Sequence, residues 1–63
     1  MKNRIEELRK PKKISQKELA ELCGVTRQTI NAIENDKYDP TLQLAFDLAR
    51  VLGTTVEELF LNE

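Results

Sequence analysis

The sequence predicts an all-α fold of five short helices around one core. Three observations predict it. Apolar residues recur at helical spacing along almost the whole chain, Ser and Thr stand where helix caps belong, and the apolar runs end at a glycine or a proline. No window alternates with the period of two that a half-buried strand requires.

The elements follow in order. Asn3 is placed to cap a first helix that buries Ile5 and Leu8. Pro11 has no amide proton and disfavours helix in the residue before it, so this helix ends near Arg9 or Lys10. Ser15 and Glu18 form an S-x-x-E capping box that starts a second helix at Gln16, with Leu19, Leu22 and Cys23 on its buried face. Gly24 stops it, because glycine takes a left-handed conformation without strain. Thr26 caps a third helix whose Ile30 and Ile33 point inward. Asn35 to Pro40 is a turn-rich loop, after which Thr41 caps a fourth helix. Leu42, Ala45, Leu48, Ala49 and Leu52 form its stripe, and Gly53 ends it. Thr55 and Glu58 form a second capping box, opening a short fifth helix with Val56, Leu59 and Phe60.

Composition narrows the function. Sixty-three residues suit one domain, 1–63. Cys23 is the only cysteine, so no intrachain disulfide forms, which fits a reducing cytoplasm, and beside Gly24 it reads as a small buried hydrophobe. Without histidine or a cysteine cluster there is no zinc site, and no metal or cofactor is expected. No apolar stretch approaches the length of a membrane span, and the basic N-terminus lacks the apolar core of a signal peptide. The net charge of −1 hides an asymmetry: residues 1–17 carry +5 and residues 18–63 carry −6. Phosphate attraction depends on the field of one face rather than on the sum.

The informative feature is the tight turn between helices two and three. Two helices crossing steeply bring their backbones close, and Ala20 leaves room there. Gly24 allows the positive φ of the turn, and Ile30 and Ile33 anchor the second helix on the first. Arg27, Gln28 and Asn31 then face outward, with Thr26 and Thr29 beside them, a surface of donors and acceptors suited to base edges.

On Leu8-Arg9, Ile14-Ser15-Gln16, Glu18-Leu19-Ala20, Gly24 to Ile30, Ile33-Glu34-Asn35, Lys37, Pro40-Thr41, Leu48-Ala49 and Leu52-Gly53, the chain resembles the Cro and phage-repressor type of helix-turn-helix protein, the Xre family. The resemblance covers nearly the whole chain. It implies a five-helix, lambda-repressor-like DNA-binding domain with the helix-turn-helix in helices two and three. Its third helix enters the major groove of double-stranded DNA, usually as a homodimer on a palindromic operator. It implies base contacts from Arg27 and Gln28, a phosphate contact from Gln16, and an ion pair joining Arg9 and Glu34 beneath the motif. Asn31 either reads a base or only approaches the groove. Thr26 serves as a cap, with any methyl or phosphate contact added to that. Asn35, Lys37, Tyr38 and Thr41 surround the start of helix four and are candidates to clamp the DNA backbone, although Tyr38 equally suits packing. Lys12, Lys13 and Lys17 add sequence-independent attraction. Asp36 stands where the family commonly has glycine, and Pro11 is unusual between helices one and two.

No nucleophile-base pair is evident, so no enzyme is expected. Glu6-Glu7 and Glu57-Glu58 are adjacent, and adjacent helical positions do not face each other. The expectation is a transcriptional repressor, with a protein-interaction module such as an antitoxin or adaptor as the alternative. Single-strand RNA reading would need a platform of stacking aromatics that Tyr38, Phe46 and Phe60 do not supply. A homodimer needs a contact, and the sequence points to helix five and the tail, Val56 to Asn62. Leu59-Phe60-Leu61 is a run no helix can turn wholly inward, so Leu61 or Phe60 is expected to be exposed in the monomer. Alternatively the tail pairs as a strand across the two-fold axis.

Overall fold

The computed structural model describes residues 1–61, the side chain of Leu61 excepted. Five helices carry the fold: α1 Ile5–Arg9, α2 Gln16–Cys23, α3 Arg27–Glu34, α4 Leu42–Leu52 and α5 Val56–Leu59. A turn of 3₁₀ helix, Lys10–Lys12, follows α1 and carries Pro11 at its start. Two short strands, β1 Lys2–Asn3 and β2 Phe60–Leu61, pair antiparallel with Asn3 opposite Phe60.

The caps explain where the helices begin. Ser15 and Glu18 complete a reciprocal capping box on α2. Thr26 and Thr41 each accept the amide of the residue three further on. Thr55 does the same for α5, but the Glu58 carboxylate meets the Thr55 hydroxyl at 3.4 Å, so the second box has this contact where the first has an amide. Asn3 acts one position earlier than expected: Arg4 occupies the cap, and the Asn3 Oδ1 accepts the Ile5 amide at 3.1 Å.

The core comprises Ile5, Leu19, Ala20, Ile30, Ile33, Leu44, Ala45, Leu48, Ala49, Leu52, Leu59 and Phe60, with Leu8 and Cys23 partly buried against it. Two helices sit rotated from their expected facing. On α2, Leu19 and Ala20 go inside, and Leu22, which lies on the far side of Leu19 from Ala20, is exposed. On α4 the buried arc turns toward Leu44, so Leu42 is left 68% exposed on the opposite flank.

The tail departs most from expectation. Leu59 and Phe60 are both buried, at 0% and 7% exposure, so Phe60 is not an exposed dimer contact. The helix stops at Leu59 and the chain turns extended at Phe60, with φ −110° and ψ 119°. Consecutive residues on either side of that change both reach the core. One edge of the strand pairs within the chain, with β1. The Leu61 side chain and Asn62, also named for that contact, lie outside the described residues.

Candidate nucleic-acid interface

The turn between α2 and α3 is three residues long, and its first two amides are hydrogen-bonded back to α2. Gly24 takes φ 69°, its amide donates to the Glu21 carbonyl at 3.3 Å, and the Val25 amide donates to the Ala20 carbonyl at 2.9 Å. Thr26 then caps α3, its Oγ1 accepting the Thr29 amide at 3.2 Å and lying 3.0 Å from the Thr29 hydroxyl. Ile30 and Ile33 are fully buried, and α3 packs on α2. Those anchors hold the opposite face of α3 outward: Thr26, Arg27, Gln28 and Asn31 are exposed and Thr29 is half-buried. Arg27 and Gln28 have no side-chain hydrogen bond or ion pair with another described residue.

Electrostatics favour an anion at this end of α3. The first turns of α1, α2 and α5 carry carboxylates, which complement the partial positive charge of a helix N-terminus. The first turn of α3 has none and opens with the Arg27 cation. That placement costs helix stability and leaves a concentrated positive end facing solvent.

Beneath the motif, Arg9 and Glu34 form a two-point ion pair. Arg9 Nε donates to Oε2 at 2.9 Å and Nη2 donates to Oε1 at 3.2 Å, with side chains 10% and 5% exposed. The third guanidinium nitrogen, Nη1, donates to the Ile14 carbonyl at 3.0 Å, and Gln16 Nε2 donates to Glu34 Oε1 at 3.0 Å. One pair thus ties the end of α1, the start of α2 and the end of α3 together. No buried side-chain nitrogen or oxygen among the described residues lacks a partner.

The remaining candidates divide by position. Gln16 Nε2 also reaches Asn31 Oδ1 at 3.3 Å, so both its amide protons are engaged and the backbone amides at the start of α2 are left for a phosphate. Asn35 Nδ2 donates to the Asn31 carbonyl at 2.8 Å and to Asn31 Oδ1 at 2.9 Å, which leaves only an acceptor atom on its side chain. That atom has nothing to offer a phosphate. Lys17, Lys37, Tyr38 and Thr41 are exposed, the Thr41 hydroxyl capping α4. Lys13 is exposed in a left-handed conformation, and the Lys12 ammonium lies over Gly53, at the connection of α4 and α5. The Cys23 thiol is half-buried, and burial first, then the Asp47 carboxylate, pushes its pKa up against the opposing effect of Arg50. It is held as a thiol, not a reactive thiolate.

Asn3 was read from the sequence only as a cap, yet its Nδ2 donates to the Ile33 carbonyl at 2.8 Å and to Asp36 Oδ1 at 3.2 Å. It fastens β1 to the exit of α3, a long-range contact that no spacing signals. Among the described residues no group of three His, Cys, Asp or Glu is placed to hold a metal, and no helix is long and apolar enough to cross a membrane.

Two helices locked across a left-handed glycine turn, with the polar face of the second left open, define a helix-turn-helix unit. The chain belongs to the helix-turn-helix family of the Cro and phage-repressor type, whose family model matches residues 5–59. Among its relatives is an uncharacterized HTH-type transcriptional regulator of Methanocaldococcus jannaschii, 46% identical over 63 residues, covering 100% of this chain and 96% of the relative. The immunity repressor protein of Bacillus phage phi105 is 36% identical over 56 residues, which are 89% of this chain and 39% of the repressor. The crystal structure of the clp gene regulator ClgR from Corynebacterium glutamicum shares the fold, with a TM-score of 0.77 at 23% identity over 82% of this chain and 55% of that one.

Proposed function

We propose that the chain is a sequence-specific regulator of transcription that binds double-stranded DNA by laying α3 in the major groove, and that it represses by occupying an operator. The observation that carries this reading is the open face of α3: Arg27, Gln28 and Asn31 exposed on a helix whose other face is locked inside. Arg to guanine is the commonest specific contact in the major groove. The phage immunity repressor among the relatives supports the sign of regulation. The test is selection of bound sites from random duplex DNA at a stated salt concentration. Enrichment of one motif is expected, and its absence overturns the reading. On the best site, Arg27→Ala is expected to cost roughly 1–3 kcal/mol and relax the preference at one base pair. Lys17→Ala and Lys37→Ala are expected to weaken all sequences alike and flatten the salt dependence.

The same reading calls for a homodimer, because one recognition helix touches too few base pairs to discriminate in a genome. Two copies read half-sites about 34–36 Å apart. Leu59 and Phe60 are buried, so neither is free to make the dimer contact. Leu42 and Phe46 lie one turn apart on α4, 68% and 55% exposed, on the rim of a groove of about 670 Å³ lined also by Met1, Pro40 and Val56. Pro40 directly precedes Thr41, so this apolar face adjoins the DNA-facing loop, where a two-fold partner must stand. Phe46→Glu is expected to give a folded monomer with sharply weaker DNA binding. A parent chain that sediments as a monomer at high micromolar concentration excludes the assembly and favours an interaction module that uses this face for another protein.

A further inference from the structure

Asn31 sits between two other amides, and the polarity of all three is fixed. Gln16 Nε2 stands 3.0 Å from Glu34 Oε1, an oxygen that can only accept. That contact settles which end of the Gln16 amide is nitrogen. The same nitrogen is 3.3 Å from the Asn31 side chain, whose facing atom must therefore be the oxygen. Asn35 gives the same answer independently. Its Nδ2 is 2.8 Å from the Asn31 backbone carbonyl, again an obligate acceptor, and 2.9 Å from Asn31 Oδ1. Both lone pairs of Oδ1 are thus taken by donors within the protein. Only Nδ2, with its two protons, remains to face outward from α3.

We infer that Asn31 is a donor-only reader, held so by Gln16 and Asn35, and that it selects guanine or thymine and not adenine at the base pair it meets. The inference rests on the DNA-reading function proposed above. Adenine recognition by asparagine needs both ends of the amide, Nδ2 donating to N7 and Oδ1 accepting from the 6-amino group. Here the accepting end is spent. Guanine offers O6 and N7 and thymine offers O4, whereas the one major-groove acceptor of adenine, N7, stands beside the 6-amino donor, which a donor-only amide leaves unsatisfied. Gln16 and Asn35 are positioning residues in this account: they set which end of Asn31 is presented.

Two measurements test it. In the free chain, side-chain amide exchange followed by NMR is expected to be slow for Gln16 and Asn35 and fast for Asn31. A protected Asn31 amide with exposed Gln16 and Asn35 amides overturns the polarity whether or not the chain binds DNA. In DNA selection, the pair read by Asn31 is the one whose preference relaxes in Asn31→Ala, with roughly tenfold weaker binding to the parent's best site. Guanine or thymine is expected there, and the Gln16→Ala, Asn35→Ala double variant is expected to admit adenine. Adenine in the parent's best site, with binding lost when its 6-amino group is removed, overturns the inference. Uniform weakening of all sequences by Asn31→Ala overturns it too, because the contact is then to phosphate. If the parent enriches no sequence at all, the DNA-reading function falls, and with it any base selection by Asn31.

Discussion

The chain makes the same connection twice. Gly24-Val25-Thr26 joins α2 to α3, and Gly53-Thr54-Thr55 joins α4 to α5. The glycines take φ 69° and 70°. Each glycine amide donates over 3.3 Å and the amide after it over 2.9 Å, to carbonyls at matching positions of the preceding helix. Each threonine then caps the helix that follows. The two second helices nevertheless do different things. The eight residues of α3 keep a polar face in solvent, whereas the four of α5 lead straight into the core and a strand. The connection decides where helices stop and start. What holds the second helix decides which face is free: the far end of α3 is tied by the Arg9–Glu34 ion pair, whereas α5 ends on Leu59 in the hydrocarbon core.

The comparison breaks hardest at those two foundations. Arg9→Ala or Glu34→Ala alone is expected to cost roughly 3–5 kcal/mol, because the partner stays buried and uncompensated. Leu59→Ala, at the buried end of α5, is expected to cost roughly 2–5 kcal/mol through lost burial and a cavity. Either is a large share of the stability of a domain this small. The two losses differ in how they are mended. Arg9→Met with Glu34→Leu is expected to recover part of the first loss, since it replaces charges by hydrocarbon of similar volume. Urea unfolding of the three Arg9 and Glu34 variants checks this. Single variants that unfold with the parent's midpoint would remove the ion pair as a foundation.

The connections themselves should then prove equivalent. A Cβ at Gly24 would meet nothing within 4 Å, and one at Gly53 would meet only the flexible Lys12 ammonium at 3.6 Å. Neither site lacks space, so Gly24→Ala and Gly53→Ala each pay only for left-handed backbone. That cost is roughly 1–2 kcal/mol, partly offset by the smaller unfolded-state entropy of alanine. Near-equal losses of about 1 kcal/mol are expected in thermal unfolding. A loss at Gly24 several times that at Gly53 would mean that the two connections are not alike.

Much of this was legible in the sequence because caps and stops are local. Ser15, Thr26, Thr41, Gly24 and Gly53 each act within a few residues of themselves, and each stands where the pattern placed it. Facing was harder to read. Leu22 and Leu42 are apolar and sit at helical spacing, but a rotation of each helix brings Ala20 and Leu44 inside instead. The strand pair was invisible, since two residues are too few to show a period and the pairing joins the two ends of the described chain. On the candidate interface, the residues facing outward on α3 followed from Ile30 and Ile33 going inward. The bond from Gln16 that helps orient Asn31 did not, because it depends on which side chains the tight turn brings together.

The smallest expected effect concerns the two described residues other than glycine that take a left-handed backbone, each at a helix end. Lys13, with φ 58°, closes the segment after α1, its amide donating to the Lys10 carbonyl at 2.9 Å and the Ile14 amide to the Arg9 carbonyl at 3.3 Å. Asp36, with φ 60°, closes α3 by the same pair of bonds to Ile33 and Ala32, at 3.1 and 2.9 Å. Both ends thus copy the two glycine connections with a side chain in the left-handed position. The lysine side chain is exposed and gains nothing there. Lys13→Gly relieves roughly 1–2 kcal/mol of left-handed strain and returns roughly 0.4–1 kcal/mol through the freer unfolded chain. A net stabilisation of about 0.5 kcal/mol is expected. Asp36 differs on two counts. Aspartate tolerates this backbone better than lysine, and its Oδ1 accepts the Asn3 amide at 3.2 Å, a bond that glycine deletes. Asp36→Gly is therefore expected to leave stability unchanged or slightly lower. Urea midpoints of the two variants measured side by side decide the matter. Equal gains at both positions would show that the bond from Asn3 to Asp36 contributes nothing to holding the exit of α3.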